Sequence, residues 1–124
     1  AHTGLFALHV MDYLPQGHVH AFEPHPDHLK RLREHKRING LDAMSIVAAA
    51  VSTDNASVDL HCTRSPLGAT MIASKSLHLG RRSTMRVRGI ALDTYIEEHG
   101  IRTIDLMKFD VEGAEVAVLA ASPR

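Results

Sequence analysis

The chain has 124 residues, 44% hydrophobic and 23% charged, a size and balance that suit one folded domain and argue against disorder. Lys+Arg 14 against Asp+Glu 14 leaves a formal charge of +0, and aromatics are 4% with no Trp, so both the field and the stacking platforms of a nucleic-acid binder are lacking. The single Cys62 excludes an internal disulfide, and the longest apolar run, 43–51, is about half of the roughly 20 residues that a membrane-spanning helix needs. A reducing, cytoplasmic setting with no membrane and no nucleic acid is the expectation. The chain opens on Ala1 with no basic stretch leading into an apolar core, so no signal peptide is expected.

Leu5, Leu8, Met11 and Leu14 recur at helical spacing after Gly4 and predict a first helix. The run Val19-His20-Ala21-Phe22, stopped by Glu23-Pro24-His25-Pro26, reads as a buried strand ending in a loop. Pro26 suits the first turn of a second helix, with Leu29, Leu32 and Ile38 on its apolar side and Lys30, Arg31, Arg33, Glu34, Lys36 and Arg37 in water. Asn39-Gly40 is its stop signal. Residues 44–51 lack polar alternation, as a parallel strand covered on both faces does, and predict one interior strand.

Residues 52–57 are turn chemistry, after which Val58, Leu60 and Cys62 alternate with Asp59, His61 and Thr63 as in a half-exposed strand. The Ser-, Thr-, Gly- and Arg-rich stretch 63–84 predicts a long loop, in which Arg81 and Arg82, followed by Arg86 and Arg88, form a solvated basic face. Further strands are predicted over 85–90 and 104–109, a helix capped by Asp93 and ended by Gly100 lies between them, and a final helix covers 112–121. This order implies an α/β sheet with right-handed crossovers, one domain over 1–124. A helix opening at Gly4 is normally fed by a strand, so the sheet is expected to lack its first strand.

Two constellations carry chemistry. In dinucleotide-binding folds a Gly-rich turn lets backbone approach the ligand, and an acidic residue about 20 positions on accepts hydrogen bonds from ribose hydroxyls. Gly4 and Glu23 stand in that relation, and Glu23 sits at a strand end, where it could take both hydroxyls or simply be a solvated loop carboxylate. The second is Asp105-Leu106-Met107-Lys108-Phe109-Asp110-Val111-Glu112-Gly113-Ala114-Glu115. There Asp110 closes an apolar strand and can hold a substrate or accept a proton, while Glu112 and Glu115 fall in the first turn of a helix, where carboxylates complement the dipole.

The run Val19 to Pro26, the later Ala91-Leu92-Asp93 and the stretch Ile104 to Glu115 together resemble the FkbM family of S-adenosylmethionine-dependent methyltransferases. Ala1-His2-Thr3-Gly4 looks like the tail of that family's glycine-rich first motif, and the resemblance covers nearly the whole chain. It implies a Rossmann-like class I methyltransferase sheet with helices on both faces, here without its first strand and its C-terminal strands. It implies methyl transfer from S-adenosylmethionine to a hydroxyl of a small molecule such as a sugar or polyketide. On that reading Gly4 approaches the methionine portion, Glu23 holds the ribose, and 49–52, with Ala50 and Val51, lies near adenine. Asp110 would contact the cofactor and, with Glu112, act at the reacting centre.

Other readings compete. Ten histidines, with His18, His20, His25 and His28 close in sequence, invite a metal site. No Cys pairs and no His-Glu-x-x-His motif support one, and none is expected. A nicotinamide-dependent oxidoreductase would also use Glu23, but a full Gly-x-Gly-x-x-Gly is not visible. A non-catalytic nucleotide-binding or interaction domain is the remaining alternative.

Overall fold

Chain order runs α1 (Leu5–Tyr13), β1 (Val19–Phe22), α2 (Pro26–Ile38), β2 (Met44–Val47), β3 (Ala50–Ser52), β4 (Val58–Thr63), β5 (Ala69–Thr70), β6 (Arg81–Val87), β7 (Gly89–Ala91), α3 (Leu92–Glu98) and α4 (Glu115–Ala120). The structure, a computed structural model, describes residues 1–14, 16–63, 69–72 and 81–122. It contains two compact units, Ala1–Ala49 and Ala50–Arg124. No helix among the described residues is long and apolar enough to cross a membrane.

In the first unit β1 and β2 pair in parallel, Val19 opposite Met44 through Phe22 opposite Val47. Ala7, Ala21, Leu32 and Met44 form its core, with Met11, Val19, Leu41 and Ile46 packed against it. Helix α2 starts as its sequence dictates: His25 Nδ1 accepts from the Asp27 N–H at 3.2 Å, Pro26 fills the first position, and Asp27 sits at the positive end of the dipole. It ends with the Leu41 N–H donating to the Lys36 carbonyl and the Gly40 N–H to the Arg37 carbonyl, a paired C-terminal closure that requires Gly40 at φ 60. Lys36 Nζ then donates to the Met44 carbonyl at 2.6 Å and ties the helix to β2.

The apolar faces are narrower than the periodicity predicts. Ile38 is 59% exposed at the end of α2, and on α1 Leu5 and Leu14 are exposed while Ala7 is buried. The buried positions are Ala7 on α1 and His28, Leu29 and Leu32 on α2.

The second unit holds two further sheets. β3 pairs with β7 in parallel, Ala50 opposite Gly89 and Ser52 opposite Ala91. β4 is the centre of the antiparallel order β5-β4-β6, with an irregularity between Cys62 and Thr63. The single strand expected over 44–51 is thus two strands with different partners. The Ala49 N–H donates to the Val47 carbonyl at 2.9 Å, and this tight turn breaks the run. A uniformly apolar stretch carries no period that would mark such a break.

The strand expected over 85–90 is divided in the same way, at Arg88 between β6 and β7. Most of the loop expected over 63–84 lies outside the described residues; of the rest, 69–70 form β5 and 81–84 belong to β6. The side chains of Arg81 and Arg82 also lie outside the described part.

Residues 104–109 form no strand. Among the described residues none pairs with them, and Ile104, Leu106 and Met107 are exposed. Among the described residues the strands form three small sheets in a mixed α/β arrangement.

Gly89 sets how closely the turn after β3 can cross β7, because a Cβ there would stand 2.1 Å from the Ala56 carbonyl oxygen and 2.7 Å from Ser52 Oγ. A backbone oxygen cannot give way as a side-chain tip does. Gly89→Ala is expected to destabilise the fold by about 1–3 kcal/mol through overpacking. Gly40→Ala, in open space but at positive φ, should cost about 1 kcal/mol from backbone strain alone. Denaturant midpoints of the two variants check this order.

Candidate functional site

Glu23 leaves β1 directly into a turn, its own N–H still donating to the Val47 carbonyl at 3.0 Å. Its side chain is not a solvated loop carboxylate: the residue is 6% exposed. Oε2 accepts from the His2 N–H at 2.5 Å and from the Ala1 nitrogen at 3.3 Å, Oε1 accepts from the His25 N–H at 2.9 Å, and His28 Nδ1 lies 3.4 Å from Oε1. A buried carboxylate needs such a set of donors to offset lost hydration, and charge-assisted bonds of this kind are the strong ones. Glu23 thereby fastens the start of the chain and the start of α2 to the end of β1.

Gly4 closes the same turn. Its N–H donates to the Ala1 carbonyl at 3.1 Å, its φ is 88, and a Cβ would stand 2.4 Å from Leu32 Cδ1. The need for glycine therefore comes from a left-handed backbone and from the core side of α2. Sequence spacing picked out Gly4 and Glu23 together, and the structure brings them together through Ala1 and His2.

What sequence reasoning missed is His2. It sits at φ 55, a region where His, Asn and Asp are the enriched non-glycine residues. Its ring centroid is 4.3 Å from that of His28, and the His28 ring is 4.6 Å from that of His25. His2 Nε2 is buried without a hydrogen-bond partner. Burial first, and His28 beside it second, hold the His2 pKa below its ordinary value. No sequence signal marks this residue beyond its place two positions before Gly4. Among the described residues, no group of three or more His, Cys, Asp or Glu is arranged to hold a metal ion.

In the second unit Ala50 and Val51 are buried in β3, opposite Gly89 and Ile90. The turn that follows is self-satisfied: Ser52 Oγ donates to the Asp54 carbonyl, and Asp54 Oδ1 accepts from the Ala56 N–H. Asn55 reaches across, accepting from the Ala91 N–H at 2.9 Å and donating to Thr94 Oγ1 at 3.1 Å. Asp93 does not cap α3 as expected. Ala91 is the capping position and Asp93 lies in the first turn, because Leu92 already has helical geometry.

Asp110 and Glu112 lie where the backbone is irregular, not at the end of a strand and not in the first turn of a helix. Asp110 is exposed and its Oδ2 meets Lys108 Nζ at 2.9 Å, a surface ion pair worth little to stability. Glu112 adopts φ 58 and Gly113 φ 106, so α4 begins only at Glu115. Two side chains bond the backbone of this turn. Thr70, 1% exposed, donates its hydroxyl to the Glu112 carbonyl at 2.9 Å and accepts from the Ile72 N–H. The Glu115 carboxylate accepts from the N–H groups of Val111 at 3.0 Å and Gly113 at 2.9 Å, just ahead of the helix it opens.

Comparison with known proteins adds a family. A model described as "Methyltransferase FkbM domain" matches residues 1–123. The chain is 30% identical over 129 residues to the 2-O-methyltransferase NoeI of Sinorhizobium fredii (strain NBRC 101917 / NGR234), covering 94% of this chain and 52% of that protein. The chain thus spans about half the length of the curated relative it matches. No solved structure matches it.

The depressed pKa of His2 has a sign that can be tested. Protonation is harder in the folded chain than in the unfolded one, so the unfolded state binds more protons below about pH 6.5. The stability present above that pH is lost as pH falls through the folded-state value. The urea midpoint should drop between about pH 7 and about pH 5, and His2→Asn should flatten that drop.

Proposed function

The chain belongs to the FkbM methyltransferase family, and from that premise we propose that it is the cofactor-binding part of an S-adenosylmethionine-dependent O-methyltransferase with a Rossmann-like core. Its acceptor is a hydroxyl of a small molecule such as a sugar or polyketide. The observation that carries this reading is Glu23, a buried carboxylate at the end of a parallel strand, about 20 positions after a glycine at φ 88. The unpartnered Nε2 of His2 on the same turn is the kind of buried polar atom that a bound ligand satisfies.

Bound there, S-adenosylmethionine supplies a methyl group already activated by positive sulfur. The chain's own task is to hold and aim the reactants, since in-line displacement gains most from positioning. Glu23 holds a ribose hydroxyl, Gly4 lets the backbone of the first turn lie close, and Ala50 and Val51 are the residues assigned to the adenine. The carboxylates of Asp110 and Glu112 favour a cationic ligand electrostatically. Asp110, exposed and paired with Lys108, is the carboxylate assigned to accept the proton that the acceptor hydroxyl loses.

Two measurements test these roles. Calorimetric titration with S-adenosylhomocysteine should show binding, and Glu23→Ala should weaken it by roughly 1–3 kcal/mol through lost charge-assisted hydrogen bonds. Unchanged affinity in a folded variant removes the ribose assignment, and binding of NADH in place of S-adenosylhomocysteine turns the reading toward an oxidoreductase. Asp110→Asn should lower turnover with sugar acceptors by more than it lowers cofactor affinity. Wild-type turnover in that variant removes its role as proton acceptor.

A further inference from the structure

We propose that Thr70 is a positioning residue for methyl transfer, its buried hydroxyl holding the turn at Glu112 so that the Glu112 carboxylate is set for the positive sulfur of the methyl donor. The inference rests on the S-adenosylmethionine reading above and deepens it. Glu112 is at φ 58 and Gly113 follows at φ 106; with His2, Glu112 is one of two non-glycine residues at positive φ among the described residues. A glutamate is strained in the left-handed region where a glycine is not, and such residues persist only where the surrounding contacts over-determine them.

Those contacts fix one peptide group from both sides. In the unit joining Glu112 to Gly113, the Gly113 N–H donates to Glu115 Oε2 at 2.9 Å, and the Glu112 carbonyl accepts from Thr70 Oγ1 at 2.9 Å. Glu115 is a local residue and serves N–H groups, taking that of Val111 as well. The carbonyl is held from 42 positions away in the chain. Thr70 is placed for this by β5, which pairs antiparallel with β4 and sets Thr70 opposite His61. Its Oγ1 accepts from the Ile72 N–H at 3.1 Å, which leaves the hydroxyl proton for the Glu112 carbonyl. Rotation of the Glu112–Gly113 peptide would strand a hydroxyl on a residue that is 1% exposed, and a buried polar group left unpaired is costly. The hydroxyl therefore selects the left-handed form of Glu112, and the direction of its Cα–Cβ bond follows.

The test is calorimetry, with the full chain, of S-adenosylmethionine, whose sulfur is positive, and of S-adenosylhomocysteine, whose sulfur is neutral. The ratio of the two affinities reads the field at the sulfur, because the ligands otherwise differ by one methyl group. Glu112→Gln should lower that ratio by roughly tenfold, the size of one charge acting at a partly solvated site. Thr70→Val, which keeps the shape without the hydroxyl, and Thr70→Ala should lower it in the same direction while the affinity for S-adenosylhomocysteine stays at the wild-type level. Thr70→Ser, which keeps the hydroxyl, should restore the wild-type ratio. A ratio lowered by Glu112→Gln but unmoved in Thr70→Val and Thr70→Ala overturns the positioning role and leaves the cofactor reading standing. So does an equal loss for both ligands, or failure of both variants to fold while Thr70→Ser folds, since either makes Thr70 a structural residue alone. An unchanged ratio in Glu112→Gln removes Glu112 from the sulfur and overturns the inference with that part of the reading. Absence of binding by the wild type overturns both.

Discussion

A carboxylate taken out of water must be surrounded by donors, and in the first unit the surroundings of Glu23 meet that demand. Four nitrogens from Ala1, His2, His25 and His28 converge on its two oxygens. The residues that supply them come from two places far apart in sequence, the turn before α1 and the start of α2. Satisfying one side chain therefore fixes both ends of this corner against the end of β1. Gly4 follows from the same constraint: once Ala1 and His2 are drawn to Glu23, the chain must turn back through a left-handed residue, and Leu32 leaves no space for a Cβ.

The second unit is ordered by backbone contacts of another kind. Around 110–115 the chain takes two successive positive φ angles, and among the described residues no strand pairs with it. Glu115 and Thr70 supply what the ladder does not, one with a carboxylate that accepts two N–H groups and one with a buried hydroxyl that reaches the Glu112 carbonyl. Asn55 does the same for the start of α3, where the capping residue Ala91 has no side chain able to do so. Thr70 and Asn55 act from positions remote in sequence, whereas Glu115 closes its turn locally. Asp110 is exposed and forms an ion pair with Lys108, two residues away.

Much of the first unit was legible because its signals are local. Pro26, Asp27 and the Asn39-Gly40 stop place α2, since capping and dipole effects act within one turn. Alternation placed β4, and punctuation placed β1. The errors fall where the signal is not local. The apolar runs 44–51 and 104–109 look like strands, yet a strand exists only beside a partner. The first run has two partners and is cut between them, and the second has none among the described residues.

The sequence by itself determined the residue types of the candidate site and its family: the Gly4 to Glu23 spacing, the acidic stretch around Asp110, and a composition free of disulfides and excess charge. These follow from motif spacing and local chemistry, which do not depend on where the rest of the chain goes. Only the tertiary structure decided that Glu23 is buried and nearly saturated, that His2 stands beside it with an unfilled ring nitrogen, and that Glu112 precedes its helix. Burial and hydrogen-bond satisfaction are properties of residues brought together from distant positions, and no window along the sequence contains them.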